Sequence, residues 1–167
     1  MAESTIVKTK RDGTITIEDG TSPTPQSYTV AFEAGDLSIA IPGRTVNLYL
    51  DRGVMTSPPA IRYGDDTPMT GSFTAQFRES TDAAVEALTD FLTLGGFVGA
   101  SWVSRGGANA EVQTFRITWE LEGTDHGDAS DHSIACDHCV ISGSIADGDP
   151  VTLSLSFTSY DLYPTVS

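Results

Sequence analysis

Residues 69–78 read MTGSFTAQFR, and their period of two decides the fold class. Met69, Gly71, Phe73, Ala75 and Phe77 fall on one face, and Thr70, Ser72, Thr74, Gln76 and Arg78 on the other. Side chains along a strand alternate between faces, so this is a strand with one buried and one wet side. Two later segments repeat the pattern. In 114–122, Phe115, Ile117, Trp119 and Leu121 oppose Thr114, Arg116, Thr118, Glu120 and Glu122. In 151–158, Val151, Leu153, Leu155 and Phe157 oppose Thr152, Ser154, Ser156 and Thr158.

Further strands are expected on both sides of this nucleus. Segments 5–8 and 14–17 flank Arg11-Asp12-Gly13, where Asp-Gly is a favoured hairpin turn. A Pro-rich loop follows at 21–26. Segments 28–32 and 37–41 surround Ala34-Gly35-Asp36 and read as a second hairpin. Strands are also expected at 98–104, 111–122 and 133–144. One helix interrupts them: Ser80 or Thr81 caps it, Asp82 and Glu86 suit its positive end, and Val85, Leu88, Phe91 and Leu92 form its apolar stripe before Gly95-Gly96. The class is mostly β, a β-sandwich or barrel with one flanking α-helix, in a single domain spanning 1–167.

Between Pro42 and Pro68 the alternation weakens, and the segment reads as a long inter-strand loop carrying one irregular hairpin. Long loops in compact domains are uncommon and usually functional or disordered. This one contains Val46, Leu48, Tyr49, Leu50, Val54, Met55, Ile61 and Tyr63 beside Arg44, which is too apolar a set to leave in water. A partner surface is expected to cover it.

The chain has 23 acidic and 9 basic residues, a net charge of −14. From residue 117 onward there are nine carboxylates and neither Lys nor Arg. Such a balance disfavours a direct nucleic-acid binder, which needs a basic face to displace counterions, and an anionic lipid surface as partner. Solubility alone accounts for acidity; a surface that repels a polyanion is the sharper reading. No apolar run approaches membrane-spanning length, the first residues show no signal-peptide core, and two cysteines make no disulfide framework, so production in a reducing cytoplasm is expected.

Chemistry-bearing motifs are sparse. The stretch 125–139 holds His126, His132, His138, Cys136 and Cys139, a set rich enough in soft donors for zinc. However, 134–141 reads as a strand, in which residues three apart face opposite sides, so Cys136 and Cys139 are expected as buried small apolar residues, with the histidines at the surface, rather than as a metal pair. Asp125, Asp128 and Asp131 with Asp147 and Asp149 lack the spacing of a calcium loop and read as solvated. Nucleophile-elbow, phosphate-loop and zinc-protease patterns are absent, and no carboxylate pair stands out. No enzymatic activity, metal or cofactor is expected.

The order of elements resembles the tail tube (major tail) proteins of long-tailed, siphovirus-type bacteriophages. Four features carry the likeness: Pro68 to Phe73 opening an aromatic strand; the acidic helix at 82–94; Ala100-Ser-Trp102 followed by a hairpin ending Trp119 to Gly123; and the turn Ala146-Asp-Gly-Asp-Pro150 before the strand 151–157. Asp147 stands where the family usually has Glu. The likeness covers roughly residues 28–165 and rests on order rather than on any single motif.

The resemblance implies a structural virion protein made in the host cytoplasm. Its hexameric rings would stack into a hollow tube that encloses a tape measure protein, joins tail terminator and distal tail proteins, and delivers DNA without binding it. It further implies that the 42–68 loop packs on the adjoining ring and that the arms at 1–27 and 159–167 reach neighbours. Ser72, Thr74, Glu120, Glu122, Ser154 and Ser156 become lumen candidates, with Arg78 and Arg116 departing from an acidic wall. Two other readings share these residues. One is the inner tube of a contractile injection or secretion system. The other is a monomeric β-sandwich carbohydrate-binding or adhesion module using Trp102, Tyr160 and Tyr163, with calcium at Asp125 to Asp131.

Overall fold

A computed structural model describes residues 13–21, 23–30, 37–49, 60–77, 88–93, 112–121 and 129–167. Within them the chain is mostly β with one short helix, and every strand pairing is antiparallel. In chain order the strands are β1 (Gly13–Glu18), β2 (Ser27–Val30), β3 (Ser38–Ala40), β4 (Arg44–Tyr49), β5 (Ala60–Asp66) and β6 (Met69–Gln76). After helix α1 (Leu88–Thr93) come β7 (Phe115–Leu121), β8 (His132–Ala146), β9 (Thr152–Ser159) and β10 (Thr165–Val166). One sheet runs β2-β1-β7-β8-β9-β6-β3, with β10 added to β8; β4 and β5 form a separate pair.

The main sheet is rolled. Seven strands laid flat would span about 29 Å at the usual spacing, whereas the seven steps from Val30 to Leu37 reach at most about 25 Å. Its two ends therefore turn toward each other. A single core joins them: Ile15, Ile17 and Val30 from one end share it with Met69, Phe73 and Ala75 from the other, and with Leu153, Leu155 and Phe157 between. Helix α1 closes the roll, Phe91 meeting Phe115 edge-on with ring centroids 5.1 Å apart.

Alternation in β6 and β9 emerges as read. Met69, Phe73 and Ala75 are buried while Thr70 and Ser72 are exposed, and Leu153, Leu155 and Phe157 are buried while Ser154 and Ser156 are exposed. Gly71 lies on the core side because the Phe157 ring crosses over it: a Cβ there would meet Phe157 Cζ at 2.2 Å and the Ser38 carbonyl at 2.7 Å. The Pro-rich loop between β1 and β2 is closed by buried Asp19, whose carboxylate accepts from the Thr21 amide and hydroxyl and from the Gln26 amide.

One expected hairpin needs revision. Segments 28–32 and 37–41 do not pair, since β2 and β3 stand at opposite ends of the sheet. Val30 is instead matched to Ile15 and Gly71 to Ile39. The local turn signal is overridden because each segment finds a longer partner elsewhere. Residues 5–8 lie outside the described residues, and along 15–18 both edges of β1 are already taken, by β2 and β7. The expected helix is described only at 88–93, and the 98–104 strand, Trp102, the Ser80 or Thr81 cap and Gly95-Gly96 lie outside.

Gly71→Ala tests the seating of Phe157. The substitution should lower unfolding stability by about 1–3 kcal/mol, the usual cost of overpacking, read from urea midpoints. An unchanged midpoint would mean that the ring does not lie across position 71.

Candidate functional site

The β4–β5 hairpin places its side chains by register. Val46 opposes Tyr63 and Leu48 opposes Ile61, so these four share one face; Asn47 opposes Arg62 and Tyr49 opposes Ala60 on the other. The first face is wholly apolar and uncovered, from 58% exposure at Leu48 to 73% at Tyr63. A bulge between Arg44 and Val46 accounts for the irregular pattern in the sequence. The Arg44 guanidinium holds the base, 2.9 Å from Asp66 and 5.4 Å from the Tyr63 ring centre. Beside it an open hollow of about 400 Å³ is lined by Arg44, Asp66, Tyr160 and Asp161. Leu50, Val54 and Met55 of the same expected contact set lie outside the described residues.

A two-stranded hairpin is marginally stable alone and needs a third strand or a packed face. Here the face that would be packed is open. Exposed contiguous apolar surface of this kind marks an interaction site.

The outer face of the main sheet is the second feature. Ser38, Ser72, Ser156 and Ser142 stand directly opposite one another across β3, β6, β9 and β8. Hydroxyl oxygens are 3.3 Å apart in the Ser38–Ser72 pair and 2.9 Å in Ser142–Ser156. Thr74, Ser154 and Ser144 form the next row. The candidates Ser72, Thr74, Ser154 and Ser156 thus lie in one patch. Glu120 shares the outer face but sits on β7, accepting a hydrogen bond from Thr14 at 3.0 Å; Glu122 lies outside the described residues. Arg116 is the one cation on this face among the described residues, and it is held by both oxygens of Asp137. That hydrogen bond, more than the nearby charges of Asp137 and Glu18, raises the already high Arg116 pKa.

Cys136 and Cys139 are both buried, as expected, but they share the core side of the sheet instead of facing opposite ways. Cys136 opposes Ile117 and Cys139 opposes Phe115, so β8 takes three steps where β7 takes two. The extra residue is accommodated at Asp137–His138, where His138 adopts φ 53°. Sequence alternation could not foresee this bulge; the nearest signal is the polar Asp-His pair between two small apolar residues.

The bulge also anchors the C-terminal segment. His138 Nδ1 lies 2.7 Å from Asp161, Ser159 donates to the Asp137 carbonyl, and the Tyr160 amide donates to the His138 carbonyl. Residues 165–166 then pair with β8 of the same chain. Histidine, cysteine and carboxylate side chains form no group of three suited to a metal among the described residues. Asp90 on α1 is fully buried, and neither carboxylate oxygen is bonded among them.

Among the described residues no helix is long and apolar enough to cross a membrane. No protein-family model matches the chain, and no curated protein matches it.

Burial, reinforced by Asp137, pushes the Cys136 thiol up to about 11, and burial pushes Cys139 up as well. At pH 8 roughly one Cys136 in a thousand is then a thiolate. Native protein should resist alkylating reagents that label the unfolded chain at once. Because the folded pKa lies above the unfolded one, this burial stabilises fully below about pH 8.5 and the contribution is lost as pH rises toward 11. Cys136→Ser should make that decline shallower, with Cys139 still contributing; rapid labelling of the native thiols would contradict the assignment.

Proposed function

We propose that this chain is a tail tube subunit: a structural protein whose hexameric rings stack into the hollow tail of a long-tailed bacteriophage, through which DNA passes. The observation that carries the reading is the open apolar face of the β4–β5 hairpin. Val46, Leu48, Ile61 and Tyr63 project from a two-stranded unit that lacks a packing partner in its own chain among the described residues. A neighbouring ring of the same protein supplies one, in line with the resemblance in element order.

The outer face of the main sheet supports the second half of the proposal. A face of short hydroxyls and carboxylates has few groups that grip phosphate, and the one described cation there, Arg116, is occupied by Asp137. A wall of this composition around a lumen lets a polyanion slide, because binding DNA requires free cations that displace its counterions. In the assembled tail, Ser72, Thr74, Ser154 and Ser156 are assigned to the lumen, and Glu120 to its acidic margin. The partners are other copies of this chain, a tape measure protein inside and terminator and distal proteins at the tube ends. The subunit is made in the host cytoplasm and ends in the virion.

Leu48→Asp with Ile61→Asp places like charges opposite one another on the exposed hairpin face. The variant should keep the wild-type circular dichroism spectrum but lose stacking, read by sedimentation velocity as the disappearance of species larger than one ring. Stacked species at wild-type abundance would remove the hairpin from the interface. Ser154→Lys with Ser156→Lys should permit tube formation but slow DNA ejection from particles. Wild-type ejection kinetics would contradict the lumen assignment.

A further inference from the structure

Strand β8 is fifteen residues long and changes neighbours midway. Residues 132–139 pair with β7, and 139–146 pair with β9 on the opposite edge. Beyond Cys139 the β7-side edge has no strand partner among the described residues. Among the described residues this overhang, Val140-Ile-Ser-Gly-Ser-Ile-Ala146, presents on that side a row of backbone groups with no strand partner.

Natural proteins blunt such edges with lysine, proline, inward charge or a bulge, and 140–146 has none of these. It is an uncharged run in a chain of net charge −14, and hence a place where two copies can approach without repelling. The sequence is also nearly the same read in either direction about Gly143. In an antiparallel pair centred there, Ser142 meets Ser144, Ile141 meets Ile145 and Val140 meets Ala146, each contact occurring twice. Such reciprocity is what a two-fold interface requires.

The two faces match in character as well as in sequence. Ser142 and Ser144 lie on the outer face, in the rows that continue to Ser156 and Ser154. Ile141 and Ile145 lie on the other, with Gly143 under Leu92. Ile145 is 57% exposed, an apolar side chain on the core side of the sheet that the described residues leave largely uncovered. Strand addition would lay a second Ile141 against it.

We propose that the free edge of β8, residues 140–146, is a strand-addition site for the same edge of a second copy of this chain, in antiparallel register about Gly143. The pair is closed by its two-fold axis, so it is a state of the free subunit and does not lengthen into a ring. It stands independently of the tube reading.

The register gives a charge test. Ser142→Lys with Ser144→Lys sets lysine opposite lysine across the axis, whereas Ser142→Lys with Ser144→Glu sets lysine opposite glutamate. Sedimentation equilibrium should show a wild-type dimer, a dissociation constant about tenfold weaker in the first variant, and a dimer restored in the second. Amide exchange at 140–146 of the wild type should slow as protein concentration rises, a readout that needs no variant. A wild type that stays monomeric, exchange independent of concentration, or two variants that behave alike would overturn the proposal. Dimers without tubes would refute the tube reading alone, and tubes without a β8-paired dimer would refute this inference alone.

Discussion

Strand β8 must serve two sets of partners along one continuous backbone, and the remaining strands are arranged around that requirement. Its first half lies between β7 and β10 and its second half beside β9. The extra residue at Asp137–His138 keeps both Cys136 and Cys139 on the core side as the neighbours change. Without it, the inner and outer faces of 139–146 would exchange, since a one-residue slip inverts every side chain. Ile141 would then face outward and Ser142 inward, against the Phe157 layer. The Arg116–Asp137 pair, the His138–Asp161 contact and the Ser159 hydroxyl all converge on this point.

The sheet that results is well buried on one side and chemically plain on the other. Its inner face draws one core from both ends of the roll, and its outer face offers mostly hydroxyls. Among the described residues, what the chain leaves unsatisfied is apolar and backbone surface: the hairpin face at Val46, Leu48, Ile61 and Tyr63, and the edge of β8 beyond Cys139. Both are surfaces of the kind that further protein covers.

Much of the fold was legible in the sequence where half-burial governed it. Strands β6 and β9 follow from alternation because one face is core and the other is water, and the mixed composition of 42–68 announced both a hairpin and its need for cover. Pairing partners were less legible. The Ala34-Gly35-Asp36 signal is local, while β2 and β3 are bound by the longer strands β1 and β6. Burial of the two cysteines was legible from their character, but their common face was not: alternation assumes a regular strand, and one residue in left-handed conformation at His138 cancels it. The candidate site divides likewise. The serine rows were visible strand by strand, but their alignment across four strands depends on register, which single-strand patterns do not contain.

Electron microscopy of the purified protein over a concentration series bears most directly on the account. Hollow tubes of stacked six-fold rings are predicted to appear as concentration rises, with the β4–β5 hairpin seated between successive rings. A protein that remains single subunits or two-fold pairs at every concentration, in free solution and in the presence of preformed tail ends, would contradict it.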